Sequence, residues 1–279
     1  IADLIERGER IVITHGNGPQ VGQLLSKNEA TRDRFPSEPL DVLVADTPGS
    51  LGYILQPAML NTLRQRHLRR YVATFVTQVL VNTDDDAFLE PTKPVGAWFE
   101  EEEARRREKE LGWKIVHQVN RGWRRVVPSP PPLKVIQWDT IALTSRQGHL
   151  VIAGGGGGIP VTKDETGRYQ GVEAVVDKDL TSAVLATQIG AELLIVLTDV
   201  PEVYLDYGKD TQRPLTALTI KQTERWLEAG QFPAGSMGPK VSSILTFLKA
   251  GGKRGLITTP DRLEDALDGV SGTHFVGRI

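Results

Sequence analysis

Two glycine clusters each follow a short apolar run. Gly16 and Gly18 come directly after "IVIT", and Gly154–Gly158 come directly after "LVIA". Glycine lets backbone N–H groups approach an anion closely, and ligands of open parallel sheets bind beyond the carboxyl ends of the strands. A single cluster of this kind could equally be an ordinary turn. Two clusters at equivalent positions favour a binding site for a small anion.

The stretch "VVDKDL" at 175–180 brings a lysine to a predicted strand–helix junction. There the Lys178 ammonium could neutralise a phosphoryl group in transfer, with Asp177 holding the lysine in place. The same residues also fit an exposed helix start in which Asp179 caps the helix. This stretch alone leaves both interpretations open.

A second lysine, Lys240, follows a Gly-Pro turn in "GSMGPK" at 235–240. The sequence predicts that it lies in the first turn of a helix, where the helix dipole is unfavourable for a cation. The position therefore hints at an anionic partner, although an exposed surface lysine is the alternative.

Tyrosines follow another predicted strand in "LTDVPEVYLDYGKD" at 197–210. Tyr204 and Tyr207 could flank a flat ring such as adenine at the end of this strand. Taken alone, they are equally typical of core or loop aromatics.

Several familiar sites are excluded. No window fits G-x-x-x-x-G-K-[ST], G-x-G-x-x-G, H-E-x-x-H or the protein-kinase signatures. The five histidines lack metal-ligand spacing. The sequence therefore predicts no metal site built from side chains.

Composition narrows the class of partner. The 279 residues are 39% hydrophobic and 24% charged, with a net charge of −2 and no cysteine. This balance predicts a globular protein that binds small molecules, with no nucleic acid and no membrane partner. No apolar run reaches membrane-spanning length and no signal-peptide pattern is present. With cysteine absent, a cytoplasmic location is expected.

The elements that must position these residues alternate along the chain. Buried parallel strands are predicted at 11–14, 71–76, 150–153, 193–197 and 255–259, and helices at 19–30, 51–67, 180–190 and 239–250. This alternation predicts a single α/β domain over 1–279, with an open, mainly parallel sheet sandwiched by helices.

Residues 84–133 break the alternation and are interpreted as an inserted, protruding subdomain. They contain the helix-like "EEEARRREKEL", several tryptophans and the proline cluster "PSPPP". The charge run is expected to be a solvated helix face.

The start of the chain has the pattern of a helix end. Ile1, Leu4 and Ile5 have helical spacing, and Gly8 is placed like a helix C-cap. The chain does not begin with methionine, so an upstream segment is expected to be missing from it.

Several motifs together closely resemble the carbamate kinases of the amino-acid-kinase superfamily. They occur in family order from residue 14 to about 241: "THGNGPQVG", "GSLGY", "TQVLV", "PTKPVG", "GWRRVVPSP", "GGGGIPV", "GVEAVVDKDL", "LTDVPEVYLDYGK" and "FPAGSMGPKV". The resemblance implies reversible phosphoryl transfer between ATP and carbamate, giving ADP and carbamoyl phosphate, with Mg²⁺ and in a homodimer. The reaction is expected to run toward ATP synthesis.

The resemblance also implies residue roles. Lys178 and Lys240 would neutralise the phosphoryl oxygens, and Asp177 would position the lysines. Gly16 and Asn17 would contact the carbamoyl end, and Lys93 would reach in from the inserted subdomain. The phosphate side would be lined by Gly156, Gly157 and Gly158, and the nucleotide would be surrounded by Thr198, Asp199, Tyr207 and Met237.

The chain departs from the family pattern in two places. Residue 131 is proline where a basic residue is usual, and the family's first strand and Gly-Gly-Asn phosphate loop are not in the sequence. The second departure leaves an alternative open, namely a catalytically impaired protein that binds a nucleotide or carbamoyl phosphate.

Overall fold

The computed structural model describes residues 1–233 and 235–277. The chain divides into two compact units, one ending at Thr181 and the other beginning at Ser182. The α/β class is confirmed in both units. The single domain over 1–279 and the boundaries 84–133 stay predictions. Within the described residues, no helix is both long and apolar enough to cross a membrane.

The first unit contains five complete helices and ten strands among its described residues. The helices are α1 (Ala2–Glu6), α2 (Gly18–Thr31), α3 (Leu40–Gln65), α4 (Glu101–Leu111) and α5 (Trp138–Arg146). The strands are β1 (Val12–Ile13), β2 (Val72–Thr74), β3 (Gln78–Leu80), β4 (Lys93–Phe99), β5 (Lys114–Gln118), β6 (Gly122–Val127), β7 (Lys134–Val135), β8 (Leu150–Ile152), β9 (Ile159–Lys163) and β10 (Tyr169–Gly171). Helix α6 (Lys178–Ile189) begins in this unit.

Strand pairing in the first unit is mixed. Strand β8 lies between β1 and β2 and pairs with both in parallel. Strand β3 pairs in parallel with β9 and antiparallel with β7, and β10 returns antiparallel along β9. The antiparallel pair β9–β10 is joined by a short turn, which only an antiparallel arrangement allows.

Not every predicted strand is buried on both faces. Strand β8 is fully buried, but β1 is half-buried throughout and β2 is buried only at Val72. Both flank β8 at the edges of a three-stranded sheet, so each has one strand neighbour. The prediction is therefore wrong for β1 and β2.

The predicted helices are present, but α3 begins earlier than expected. It starts at Leu40 and continues through Pro48 and Gly49, two residue types that usually interrupt helices. Leu40, Leu43 and Val44 are buried beside Val21 and Leu25 of α2. Burial of this apolar face offsets the weak helical propensity of the segment.

The chain does open in a helix. Leu4 and Ile5 of α1 are buried, Arg7 follows as the C-cap, and Gly8 adopts a φ of +89°. A left-handed glycine just after a helix is the usual way for the chain to leave it.

Strands β4, β6 and β5 form an antiparallel sheet with α4 beside it, within the predicted insertion. Most of the charged residues of α4 are solvated as expected. Arg107 is the exception, since only 21% of its side chain is exposed and its Nη1 donates to Glu29 Oε2 of α2 at 2.6 Å. Its guanidinium also lies over the rings of Phe99 and Trp113. Arg107 therefore anchors this sheet to α2.

The second unit continues α6 and adds three helices and six strands among its described residues. They are β11 (Leu193–Leu197), β12 (Val203–Leu205), β13 (Arg213–Leu215), β14 (Ala217–Thr219), α7 (Ile220–Glu228), α8 (Met237–Lys249), β15 (Arg254–Thr258), α9 (Leu263–Leu267) and β16 (Thr273–Val276). Strand β15 pairs in parallel with β11 and antiparallel with β16. Strand β11 is an edge strand with alternating burial, so the prediction of two buried faces is wrong for it too.

Candidate functional site

The glycine loop after β8 is tightly packed against its neighbours. Gly154, Gly156, Gly157 and Gly158 all have positive φ angles, which favour glycine. A Cβ on Gly157 would lie 2.1 Å from the carbonyl oxygen of Val176, and one on Gly158 would lie 2.3 Å from Val79 Cγ2. The loop thus requires glycine for close packing.

Four of the five backbone N–H groups of this loop are hydrogen-bonded within the protein. Gly154 donates to Thr77 Oγ1 at 2.9 Å and Gly156 donates to the carbonyl of His15 at 2.7 Å. Gly157 and Gly158 donate to carbonyls within the loop. The protein itself therefore occupies these four donors, and the place of Gly156, Gly157 and Gly158 on the phosphate side stays a prediction.

The first glycine cluster is different. Gly16 and Gly18 are exposed, and Gly18 is the first residue of α2. The backbone N–H groups of Gly16, Gly18 and Gln20 donate to no residue in the part of the chain that the structure describes. The start of α2 therefore combines available donors with the positive end of the helix dipole.

Lys178 lies beside this cluster. A Cβ on Gly16 would lie 3.3 Å from Lys178 Cδ and 3.5 Å from its Nζ, so the lysine side chain runs along the bare face of Gly16. Two residues that the sequence selects separately are thus brought together. The arrangement places a cation next to the available backbone donors of α2.

Asn17 is held between α3 and the glycine loop. Its side chain is 8% exposed, and its Nδ2 donates to Thr47 Oγ1 at 2.7 Å. A Cβ on Gly156 would lie 2.1 Å from this Nδ2. The missing side chain of Gly156 therefore makes room for Asn17.

Lys93, which the resemblance implies reaches in from the inserted subdomain, forms an ion pair with Asp177. Its Nζ donates to Asp177 Oδ2 at 3.1 Å, with 42% of the Lys93 side chain and 20% of the Asp177 side chain exposed. Burial raises the pKa of Asp177, but the Lys93 ammonium and the N–H groups of Leu180 and Asp179 outweigh it, so the pKa is lowered. Asp177 is therefore a carboxylate at neutral pH.

Asp177 also caps α6. Its Oδ1 accepts hydrogen bonds from the N–H groups of Asp179 at 2.9 Å and of Leu180 at 3.3 Å. The alternative interpretation assigned the cap to Asp179, and this is wrong because the residue preceding the helix supplies the capping oxygen. Capping and ion pairing use different oxygens of the same carboxylate.

In the second unit, three predicted residues follow the ends of β11 and β12. The N–H of Thr198 donates to the carbonyl of Thr258 at 2.9 Å, and Asp199 is exposed. Tyr207 is 58% exposed, and its ring lies 5.9 Å from that of Tyr204. Thr198, Asp199 and Tyr207 thus follow strand ends, where a ligand of an α/β sheet is expected.

Met237 and Lys240 lie in the first turn of α8. Met237 packs against the core of the second unit, while Lys240 is half-buried. A Cβ on Gly238 would lie 3.1 Å from the carbonyl oxygen of Pro233, so Gly238 approaches this residue closely. Lys240 therefore lies in the first turn of a helix, as the sequence predicts.

Four positioning residues were not predicted. Thr47 binds Asn17, Thr77 binds Gly154, and Thr181 Oγ1 donates to the carbonyl of Gly157 at 2.8 Å. The fourth, His15, is the only one of them inside a recognised glycine motif, and its Nδ1 bonds the carbonyl of Gly16 at 3.0 Å. Lone threonines carry no sequence signal of such a role.

Pro131, the departure from the family pattern, is exposed between β6 and β7.

Comparisons with known proteins agree with this geometry. The model of the amino acid kinase family matches residues 1–259. The carbamate kinase of Thermococcus kodakarensis is 44% identical, with 99% of this chain and 88% of that protein covered. The carbamate kinase-like protein YahI of Escherichia coli is 43% identical at the same coverage.

Solved structures give the same assignment. The structure of the Giardia lamblia carbamate kinase bound to AMP-PNP has a TM-score of 0.92 and is 37% identical, covering 99% of this chain and 87% of that one. The chain therefore belongs to the amino acid kinase family and, within it, to the carbamate kinases.

Proposed function

We propose that this chain catalyses reversible phosphoryl transfer between ATP and carbamate, giving ADP and carbamoyl phosphate. The observation that carries the proposal is the position of Lys178 along Gly16, beside the available N–H groups at the start of α2. Phosphoryl transfer depends on positioning and positive charge more than on covalent catalysis. No nucleophilic side chain is required.

Residues of the first unit are proposed to bind the carbamoyl phosphate. Gly16 and Asn17 contact the carbamoyl end, and Lys178 neutralises the phosphoryl oxygens. Asp177 holds Lys93 near the start of α6, with 3.1 Å between Asp177 Oδ2 and Lys93 Nζ. Gly156, Gly157 and Gly158 contribute by leaving space for Asn17 and for the ligand, since their N–H groups are already bonded.

Residues of the second unit are proposed to bind the nucleotide. Thr198 and Asp199 follow β11, and Tyr207 and Met237 offer apolar surface to an adenine ring. Lys240 supplies positive charge to the phosphates from the first turn of α8. ATP and ADP are large polyanions, so a lysine in this otherwise unfavourable position gains a partner.

Mg²⁺ is proposed as the cofactor. The part of the chain that the structure describes contains no group of three or more His, Asp or Glu side chains placed to hold a metal ion. This fits Mg²⁺ in phosphoryl transfer, because the ion keeps several waters and takes much of its coordination from substrate phosphates. When bound, it would neutralise charge on the nucleotide phosphates.

The test is ATP formation from carbamoyl phosphate and ADP by the purified chain. Lys178→Ala and Lys240→Ala are each expected to lower kcat by about 10²- to 10³-fold, as for other preorganised charges. Lys27→Ala and Lys221→Ala, at exposed positions on α2 and α7, serve as matched controls and are expected to retain wild-type rates. Wild-type activity in either Lys178→Ala or Lys240→Ala would contradict the assigned roles.

No observation favours the alternative of a catalytically impaired binding protein. Calorimetry, combined with the assay of ATP formation, distinguishes an active kinase from an impaired protein. An impaired protein would bind carbamoyl phosphate or ADP while forming no ATP. A cytoplasmic location stays a proposal that rests on the composition of the chain.

A homodimer is also proposed, with the exposed face of α3 as the contact surface. Tyr53 is 72% and Ile54 is 60% exposed, and Pro57 and Ala58 continue the same face one turn later. Exposed apolar rows of this kind are typical of association surfaces. Light scattering after size-exclusion chromatography tests it: the wild type should have twice the mass of the chain, and Ile54→Asp should not.

A further inference from the structure

A proline interrupts the ladder of backbone hydrogen bonds inside α3. In a helix, the N–H of residue i+4 bonds the carbonyl of residue i, so the carbonyl of Val44 would be bonded by residue 48. Residue 48 is proline, which has no N–H. Thr47 replaces the missing donor, because its Oγ1 donates to the Val44 carbonyl at 2.8 Å.

This bond commits the only proton of the Thr47 hydroxyl. A carbonyl cannot donate, so the hydroxyl must be the donor toward Val44. Toward Asn17, Thr47 can then act only as an acceptor. The side-chain group of Asn17 that faces Thr47 at 2.7 Å must therefore be the amide nitrogen, Nδ2.

The orientation of the Asn17 amide follows from this network. With Nδ2 bound to Thr47, Oδ1 is directed away from it. The side chain is 8% exposed, yet Oδ1 accepts no hydrogen bond from any residue in the described part of the chain and is not sealed from solvent. The nearby N–H of Gly156 is not available to it, since that group donates to His15. Asn17 therefore presents an acceptor on a nearly buried side chain.

We propose that Thr47 is a positioning residue that makes Asn17 select for an amino group. In this arrangement Asn17 Oδ1 accepts a hydrogen bond from the amino N–H of carbamate or carbamoyl phosphate. The inference rests on the proposed function, which places the carbamoyl end at Asn17. An acyl phosphate with a methyl group there, such as acetyl phosphate, cannot donate this bond and leaves the acceptor unpaired.

The test compares carbamoyl phosphate and acetyl phosphate as phosphoryl donors to ADP. Thr47→Val has nearly the same shape but no hydroxyl, so it releases the Asn17 amide. We expect kcat/KM for carbamoyl phosphate to fall about 10-fold or more, while that for acetyl phosphate changes less than about threefold. Thr47→Ser keeps the hydroxyl and is expected to retain most of the discrimination.

The ratio of the two kcat/KM values separates a selecting role from a merely structural one. Equal losses with both donors, or an unchanged ratio in Thr47→Val, would overturn the proposal. If Thr47→Val does not fold, Asn17→Ala leaves α3 intact and is expected to lose the same discrimination; equal losses there would also overturn it. Absence of ATP formation by the wild type from carbamoyl phosphate would instead refute the proposed function itself.

Discussion

The two glycine clusters of the first unit each follow a strand but have different physical roles. Gly154–Gly158 is enclosed: the N–H groups of Gly154, Gly156, Gly157 and Gly158 are hydrogen-bonded, and the Cα atoms of the cluster pack against neighbouring backbone and side chains. Gly16 and Gly18 are exposed, with N–H groups that donate to no described residue. The enclosed cluster packs against the surrounding protein, and the exposed cluster has backbone N–H groups available to a ligand. This arrangement suits a very small ligand, because such a ligand has few groups to recognise and its binding depends on donors that are held in fixed positions.

The largest loss of stability is expected when a methyl group is added to a glycine of the enclosed cluster. In Gly157→Ala the new Cβ would lie 2.1 Å from the Val176 carbonyl oxygen, at a φ of +93°. Neither atom belongs to a flexible side chain, so the backbone must shift. We expect a loss of about 3 kcal/mol or more in the free energy of unfolding, measured by urea denaturation.

The control for this variant is Gly18→Ala in the exposed cluster. Equal destabilisation of both variants would show that the clusters do not differ as described.

Sequence reasoning found both clusters but could not tell them apart. The difference depends on Val176, Val79 and His15, which come from separate segments of the chain and pack against the loop only in the folded state. For the same reason the sequence predicted the strand positions well and their burial less well. Apolar composition marks β1, β2 and β11 as strands, whereas their edge positions follow from the order of strands in the sheets.

The lysines and Asp177 were predictable because each lies in a motif. The ion pair between Lys93 and Asp177 was not predicted, because the resemblance implies only that Lys93 reaches into the site and that Asp177 positions Lys178 and Lys240. The double use of Asp177 was not predictable, because the assignment of the helix cap to Asp177 or Asp179 depends on where α6 begins, within one residue. Thr47 was missed because its role depends on Pro48 in a helix whose start was placed too late.

The second-largest loss of stability is expected from a substitution of Asp177, which follows Val176 at the edge of the enclosed cluster. Asp177→Asn keeps one capping oxygen but loses the charge that Lys93 and the start of α6 favour. We expect a loss of about 1 to 2 kcal/mol at neutral pH, measured by urea denaturation.

The pH dependence of this difference has a definite sign. The pKa of Asp177 is lower in the folded state, so its contribution is fully present above its unfolded pKa of about 4 and is lost as the pH falls through the folded value. The stability difference between wild type and Asp177→Asn should be constant from pH 7 to 5 and shrink below about pH 4. A difference that instead grows on acidification would contradict the assignment.

Lys93→Met separates the ion pair from the cap. The Lys93 side chain is 42% exposed, so solvent screens its attraction to Asp177, and the two capping bonds of Asp177 remain. The expected loss in unfolding free energy is below about 0.5 kcal/mol. If Lys93 also contacts the ligand, kcat/KM for carbamoyl phosphate falls about 10-fold or more despite this small change. A stability loss as large as that of Asp177→Asn would mean that the pair, and not the cap, dominates.

The smallest change in stability is expected in the exposed cluster itself. A Cβ on Gly18 would have nothing within 4 Å, and its φ is not positive, so Gly18→Ala introduces no strain. Because alanine favours a helix more than glycine does, the variant should be unchanged or more stable by up to about 1 kcal/mol. Its methyl group nevertheless stands beside the N–H groups proposed to bind the ligand. KM for carbamoyl phosphate should therefore rise severalfold, while KM for ADP, whose proposed residues are in the second unit, stays constant. A rise in both KM values would indicate that the exposed cluster does not serve the carbamoyl ligand alone.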